Sequence, residues 1–309
     1  MSQKFCTPVK AVFLQVTWLV FLSQVAFAGA WTQKKKGYFL KLSVNYLFTT
    51  KEFNHEGKKL DIFQERIIYE DTSFRDVNIT AYFEYGLFEN LTLVANLPFK
   101  ILTSKRTEII GGGLLARIVT IHTEGFSDLS ISGRYRLLSK PVFLSFQGGF
   151  KIPLAYNAAP ADDGAPLGTG KLDYEGQLLA GKSLYPLPLY FTAGIGYRKR
   201  TGAFHDQVFY ATELGYTLGK VLFKATFDGL KSTVAPPDIV GQPVVTPLPG
   251  GGGALPNIIV GDQDIFKFSP SIIYHFSERF ALQGEILHVF AGKNTVAGTT
   301  VSLGVILSK

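Results

Sequence analysis

The sequence has 309 residues, of which 46% are hydrophobic, 14% aromatic and 18% charged, with a formal net charge of +7 and one cysteine. This apolar content excludes an intrinsically disordered chain, and one cysteine excludes a disulfide scaffold or a cysteine-ligated metal site. The abundance of Gly, Phe and Tyr indicates strands and turns, so the positive mean hydropathy of +0.17 needs a cause other than long apolar helices.

The first 28 residues have the features of a cleavable signal peptide. Lys4 and Lys10 give a positive start, an apolar run follows over 11–27, and Ala26-Phe27-Ala28 has the small-x-small cleavage pattern. We therefore predict a signal peptide at 1–28 and one mature domain at 29–309. Cleavage removes the single cysteine and both lysines, which lowers the net charge from +7 to +5. The predicted destination is the outer membrane of a diderm bacterium.

From Gly37 onward, apolar and polar residues alternate with a period of two. In the segment 128–138, Leu129 and Ile131 fall on one face of a strand, while Ser130 and Arg134 fall on the other. The same alternation predicts strands in twelve segments: 37–50, 73–86, 91–104, 126–138, 141–153, 172–184, 188–200, 206–218, 220–231, 263–276, 279–292 and 295–308.

The connections between these segments alternate in length. Tight turns such as 139–140 and 219–220 alternate along the chain with generally longer connections. The longest of these connections are 51–72, 105–125, 154–171 and 232–262. This order is typical of barrels with short periplasmic turns and longer outer loops. We predict an all-β fold, an antiparallel up-and-down transmembrane β-barrel of about twelve strands with both termini in the periplasm. A soluble β-sandwich or propeller is the alternative, because the aromatic residue that commonly ends barrel chains is absent.

Aromatic residues cluster near both ends of the predicted strands, as expected for girdles at the two headgroup levels. The short-turn girdle comprises Tyr85, Phe88, Tyr135, Tyr185, Tyr190, Tyr216, Tyr274, Phe276 and Phe280. The long-loop girdle comprises Tyr46, Phe48, Phe74, Phe99, Phe126, Phe150, Tyr197, Phe227, Phe266 and Phe290.

The polar parity of the strands predicts a charged lumen. The lumen-lining candidates are Asp128, Arg134, Arg136, Lys151, Asp173, Glu175, Arg198, Glu213 and Lys224. Such charges either form ladders of opposite sign between strands or line a path for solute, and both roles stay open. Arg134 and Arg136, with Lys151 on the next strand, are the candidates for a basic constriction. Twelve strands enclose only a narrow interior.

The long segment 232–262 is rich in Pro and Gly but also in aliphatic residues. Its apolar candidates are Ile239, Val240, Val244, Val245, Leu248 and Leu255. We predict that this loop packs over the barrel mouth and forms an apolar vestibule, with 107–121 as a second wall. The alternative is a disordered connector.

The segment 125–153 resembles a family of outer-membrane proteins. Gly125-Phe126-Ser127-Asp128-Leu129, Arg134-Tyr135-Arg136 and Lys151-Ile152-Pro153 are similar to the core motif of the family named for the phenol meta-cleavage pathway (MetA type). The mature start, from Gly29 to Gln33, resembles exported XagA-like proteins. The resemblance implies an outer-membrane barrel that admits hydrophobic or aromatic compounds.

Three functions follow as hypotheses. The first is a channel or transporter for small, hydrophobic or aromatic solutes, and the second is a non-transport structural or exopolysaccharide-export component. The third is a barrel phospholipase using His275 and Ser277, but the sequence after the serine does not fit and no orienting partner is evident. We expect no enzyme, catalytic residue, metal, cofactor or nucleic-acid partner. The expected partners are outer-membrane lipid, a small solute and the barrel assembly machinery.

Overall fold

A computed structural model of the chain describes residues 29–62, 69–110, 114–158, 164–236 and 262–309. The predicted signal peptide at 1–28 lies outside these ranges. So do the apolar candidates of the long loop: Ile239, Val240, Val244, Val245, Leu248 and Leu255. Within the described ranges, no helix is long and apolar enough to cross a membrane.

The described regular structure consists of sixteen strands. Their bounds are β1 (Tyr38–Thr49), β2 (Lys51–Phe53), β3 (Lys59–Asp61), β4 (Tyr69–Phe88), β5 (Leu91–Ile110), β6 (Leu115–Phe126), β7 (Leu129–Leu138), β8 (Phe143–Ile152), β9 (Asp173–Ser183), β10 (Leu189–Lys199), β11 (Gln207–Leu218), β12 (Val221–Ser232), β13 (Asp264–His275), β14 (Phe280–Lys293), β15 (Thr295–Ala297) and β16 (Thr299–Ser308).

Twelve of these strands close an antiparallel barrel. The ring runs β1, β4, β5, β7, β8, β9, β10, β11, β12, β13, β14, β16 and back to β1. The first and last strands close it, with Phe39 opposite Ser308 and Leu47 opposite Thr300. Each barrel strand overlaps one predicted segment, so the predicted twelve-stranded up-and-down barrel is confirmed. Closure pairs the backbone groups that an open sheet edge would leave unsatisfied in lipid.

The barrel has two distinct ends. Both termini of the ring and the tight turns after β4, β7, β9, β11 and β13 lie at one end, which we call the short-turn end. The longer connections lie at the opposite, long-loop end, where β15, β2 and β3 form a small separate sheet.

The outer wall explains the hydropathy. On β1, Leu42 and Val44 are 48% and 50% exposed, whereas Ser43 between them is buried. The same inversion recurs on β16, where Leu303 is exposed and Ser302 is buried. Apolar residues therefore face outward as a lipid-contacting band, and polar residues face the interior.

Two of the predicted connections contain strands. β4 and β5 are each 20 residues long and, with β6, continue past the rim of the barrel. We call this extension, residues 69–75, 103–110 and 115–122, the β-arm. The sequence predicts 105–125 as a longer connection, but this segment contains the end of β5 and most of β6. One face of the β-arm carries buried residues such as Phe74, Arg106 and Ile121, while residues such as Lys105 and Thr120 on the other face are exposed.

Two members of the predicted girdles belong to the interior. Phe74 is 5% exposed and Tyr190 is 8% exposed, and each lies in a buried apolar cluster inside the barrel. Girdle residues such as Tyr46, Phe48, Phe227 and Tyr274 are exposed on the outer wall, as predicted. An aromatic residue near a strand end can lie in the outer girdle or in the barrel interior. Which of the two it does depends on whether its side chain points out of or into the closed barrel.

Candidate functional site

The predicted lumen candidates are all buried or half-buried: Asp128, Arg134, Arg136, Lys151, Asp173, Glu175, Arg198, Glu213 and Lys224. Exposed aromatic residues such as Tyr135, Tyr174 and Tyr197 alternate with them along the strands. The alternation therefore places these polar side chains on the inner face.

Most of these charges are paired across strands. Arg198 lies 2.7 Å from Glu175, and Lys224 lies 2.7 Å from Glu213. Glu213 also accepts hydrogen bonds from the Tyr190 hydroxyl (2.7 Å) and from Thr226 (3.1 Å). Pairs of this kind compensate the cost of burying charge in a narrow barrel.

The three residues of the predicted basic constriction do not form one cluster. Arg134 faces Gln147 across the β7–β8 ladder, while Lys151 faces Ser130 further toward the long-loop end. The Lys151 ammonium lies 2.8 Å from both the Asp128 and the Asp173 carboxylates. Arg136 is half-buried near the short-turn end.

Arg134 forms a deeply buried ion pair. Its guanidinium donates to the Glu84 carboxylate at 2.9 Å, although β5 lies between their strands in the ring. Arg134 also donates to the side-chain oxygen of Gln147 at 2.8 Å and to the Trp31 carbonyl at 3.0 Å. The carbonyl of a residue that precedes β1 therefore lies inside the barrel.

Residues 29–36, which we call the N-terminal plug, line the inside of the short-turn end. The Gln33 amide N–H donates to Thr92 at 2.8 Å, and the Gln33 side chain donates to Glu84 at 2.7 Å. The Ser145 hydroxyl donates to the Ala30 carbonyl. Through these and neighbouring contacts, the plug reaches six consecutive strands of the ring, β4, β5, β7, β8, β9 and β10.

Glycines permit the close approach of the plug to the wall. A Cβ added at Gly86 would lie 1.9 Å from the Lys34 carbonyl oxygen, a distance that no side chain tolerates. The Gly86 carbonyl accepts from the Lys36 N–H at 2.8 Å. A Cβ added at Gly181 would lie 3.2 Å from the Ala30 Cβ. The wall is therefore shaped to receive this segment.

Trp31 completes an apolar floor at the short-turn end. Its ring meets Tyr190 edge-on at a centroid distance of 5.6 Å and Phe143 at 6.1 Å. It packs on a cluster of inward-facing residues from β1, β10, β12, β13, β14 and β16, namely Phe39, Tyr190, Leu222, Ile273, Ala281 and Ile306. We call Trp31 and this cluster the apolar floor.

A second segment folds into the long-loop end. The Leu167 carbonyl accepts from the Lys100 ammonium at 3.2 Å and from the Ser127 hydroxyl. Leu167 and Ala165 pack with Ile62, Phe74 and Leu102 in the second apolar cluster, which we call the upper cluster. The connection between β8 and β9 thus enters the barrel mouth.

Tyr156 fixes this entering loop. Its hydroxyl donates to the Asp128 carboxylate and accepts the Gly170 N–H at 2.8 Å. Burial and the hydrogen bond to Asp128 raise the pKa of the Tyr156 phenol above its usual range, so it stays a donor. The loop is therefore tied to the same carboxylate that pairs with Lys151.

The β10–β11 connection is held by acidic residues. Asp206 accepts hydrogen bonds from the Tyr197 hydroxyl (2.6 Å), the Lys199 ammonium (2.9 Å) and the Arg200 N–H (2.9 Å). These bonds lower the pKa of the Asp206 carboxyl to about 2. Asp262 binds the same loop through Arg200 at 3.2 Å.

The phospholipase hypothesis rests on a serine that caps a turn. The Ser277 hydroxyl oxygen accepts the N–H groups of Arg279 (3.3 Å) and Phe280 (3.1 Å) at the tight turn between β13 and β14. A hydroxyl in this position organises the turn.

Sequence reasoning missed both inserted segments. The plug lies between the predicted signal peptide and the first strand, and the one residue there that indicates burial is Trp31, among small and polar residues. The loop 153–172 carries Tyr156 and Leu167, apolar residues that a freely solvated connection has little reason to contain.

No protein-family model matches the chain, and no curated protein sequence matches it. Among solved structures, it is similar to an outer-membrane channel from Pseudomonas putida F1, with 14% identity, 93% of this chain and 100% of that chain covered, and a TM-score of 0.59. Two other neighbours are the NanC porin (8% identity, 87% and 98% covered, TM-score 0.43) and the KdgM porin (9%, 87% and 99%, 0.42). The first likeness supports the fold of outer-membrane barrels.

Proposed function

We propose that this protein is an outer-membrane channel for small solutes and that hydrophobic or aromatic solutes are its substrate class. The observation that carries the proposal is the N-terminal plug. The short-turn end is filled by a chain segment that is not one of the paired wall strands and that hydrogen bonds and side-chain packing hold in place. A segment attached in this way can be withdrawn without opening the barrel wall.

The chemistry of the interior supports the solute class. The apolar floor and the upper cluster present aromatic and aliphatic groups at the two ends, and ion pairs such as Arg198–Glu175 line the wall between them. A small aromatic solute with one polar group matches an interior that is apolar at both ends and charged between them. The resemblance of residues 125–153 to the phenol-pathway family is consistent with it. The apolar vestibule at 239–255 stays part of the proposal.

The protein reaches its membrane, in this proposal, through export by the 1–28 signal peptide and insertion by the barrel assembly machinery. The outward band of Leu42, Val44 and Leu303 supports lipid as its surroundings. The lumen candidates Arg134, Arg136 and Lys151 are proposed to set the ionic character of the path.

Liposome swelling tests the proposal. Proteoliposomes would be challenged with an aromatic carboxylate and with a sugar of similar mass, and protein-free liposomes would correct for permeation through lipid. Faster swelling with the aromatic solute is expected. Equal rates for both solutes would contradict the substrate class but not the channel.

A non-transport role in structure or in exopolysaccharide export is the second candidate. It is favoured by the filling of both ends, since the plug and the loop around Leu167 occupy the interior together. Liposomes that swell with neither solute, although they contain folded protein, would support this role over the channel.

A further inference from the structure

A pocket of about 340 Å³ lies on the outer face of the wall where the β-arm leaves the barrel. Its lining side chains come from β1, β4, β5 and β6, and they are Tyr46, Phe48, Ser73, Arg75, Thr103, Lys105, Thr120 and His122. The pocket belongs neither to the lumen nor to the two inserted segments.

The strand register builds this pocket as two rows. Phe48 faces Arg75, Arg75 faces Thr103, and Thr103 faces His122, so these four residues form one row across four strands. Ser73, Lys105 and Thr120 form the next row, toward the arm. Because each row is set by the backbone pairing, the groups are held together without any ligand.

Three of the lining groups are nitrogen bases or cations on one patch. Arg75 donates to the Thr103 hydroxyl at 3.0 Å, and the same oxygen lies 3.1 Å from the His122 Nδ1. Within the described ranges, no carboxylate forms an ion pair with Arg75 or Lys105. Elsewhere in the barrel, cations such as Lys151 and Lys224 have carboxylates within 2.8 Å. The pocket lining thus has positive charge without an ion-paired carboxylate, although the exposed Glu124 lies on the same face one row nearer the apolar band, opposite Ile101.

The position of the pocket selects the kind of anion. On β4 the outward residues change from Ile79 and Val77 to Arg75 and Ser73, and β5 changes at the same level from Ile101 to Thr103. Tyr46 and Phe48 of the exposed aromatic girdle form its other side. This is the level at which a lipid headgroup meets the protein, with acyl chains against the apolar band below.

The chemistry of the patch fits a phosphate ester. A guanidinium binds phosphate oxygens through paired N–H groups, and an ammonium adds a point charge. The Thr and Ser hydroxyls add neutral donors, and the aromatic side chains can cover the sugar or glycerol part of a headgroup. The long-loop end faces outward in the predicted topology, and the outer leaflet of this membrane consists of phosphorylated glycolipid.

We propose that this pocket binds the phosphate-bearing headgroup of a glycolipid in the outer leaflet. Arg75 and Lys105 bind the phosphate, His122 and Thr103 complete its hydrogen bonds, and Phe48 and Tyr46 contact the sugar. The site ties the β-arm to the membrane surface and needs no open lumen, so it stands whether or not the protein conducts solutes.

Native mass spectrometry of purified, folded protein with lipid A tests this site. The matched variants are Arg75→Ala/Lys105→Ala and the control Lys231→Ala, which removes an exposed base at the long-loop end of β12. We expect wild type and Lys231→Ala to retain lipid A, and the double variant to bind it roughly tenfold more weakly. Lys105→Ala alone, which removes an exposed side chain, serves if the double variant does not fold.

Two further arms separate the lipid from a simple anion. Dephosphorylated lipid A is expected not to be retained, and millimolar inorganic phosphate is expected not to displace lipid A. Equal retention by wild type and the Arg75/Lys105 variants would overturn the proposal. Retention without phosphates, or displacement by inorganic phosphate, would overturn it as well.

Discussion

Arg134 and Glu84 form an ion pair across the inside of the barrel, with 2.9 Å between Nη1 and Oε1 and no more than 4% of either side chain exposed. Both partners also bind the N-terminal plug, Arg134 through the Trp31 carbonyl and Glu84 through the Gln33 side chain. One buried pair therefore joins the stability of the wall to the position of the plug.

Removal of one partner of this pair should destabilise the barrel. Arg134→Ala leaves the Glu84 carboxylate buried without its cation, and we expect a loss of about 3–5 kcal/mol in the free energy of unfolding. Urea unfolding in liposomes measures it. The double variant Arg134→Ala/Glu84→Gln removes both charges and should recover part of the loss. A loss for Arg134→Ala below about 0.5 kcal/mol, the level of an ordinary surface substitution, would contradict the structural role.

Truncation of Trp31 should weaken the apolar floor. Trp31→Ala removes the ring that packs on Tyr190 and Phe143, so the plug loses its main apolar contact. We expect faster swelling of proteoliposomes, by several-fold, with unchanged folding of the barrel. Lys35→Ala, in the same segment but exposed, should swell like wild type. Equal rates for all three proteins would show that Trp31 does not limit passage.

Lys151 should control the ionic preference of any current. Its ammonium lies within ion-pair distance of both Asp128 and Asp173, so Lys151→Met removes the cation that these two carboxylates share. We expect the reversal potential in a salt gradient to shift toward cation selectivity. Lys182→Ala, an exposed lysine near the short-turn end, is the control. A shift toward anions, or no shift relative to Lys182→Ala, would place Lys151 outside the path.

Acid should release the β10–β11 loop. The pKa of Asp206 is lowered to about 2 in the folded protein, below an ordinary value of about 3.9. Its stabilising contribution is therefore complete above pH 4 and is lost as the pH falls through 2. We expect Asp206→Asn to be cut by pepsin in this loop faster than wild type at pH 4, with the ratio of the two rates falling toward one as the pH passes below 2. A ratio that does not change with pH would contradict the assignment.

The barrel was predictable from the sequence because lipid and lumen impose opposite requirements on alternate residues. Leu129 and Arg134 fall on the faces that their chemistry predicts, and all twelve barrel strands follow from this rule. The partners of the charges did not follow. Arg134 pairs with Glu84 across an intervening strand. This contact depends on how the sheet curves and closes into a barrel, and the alternation of residues along one strand carries no information about that.

The N-terminal plug and the loop around Leu167 could not be predicted from the sequence for a related reason. Trp31, Leu167 and Ile306 lie inside the barrel although the alternation describes a polar interior. Alternation along a strand indicates which face is on average polar, but it does not indicate how the polarity of that face changes along the barrel axis. Apolar residues at the two ends of the inner face, and short segments that pack on them, are fixed by the three-dimensional fit alone.

The central claim is that the N-terminal plug closes a channel. The predicted mature chain has no cysteine, so Ala30→Cys/Gly181→Cys introduces one pair. The Ala30 Cβ and an ideal Cβ at Gly181 are 3.2 Å apart, and a shift of a few tenths of an ångström reaches disulfide geometry. Single-channel recording before and after reduction of this bond is the most direct measurement. We predict a closed or low conductance in the oxidised protein and conductance steps like wild type after reduction; the same stable conductance in both states would contradict the account.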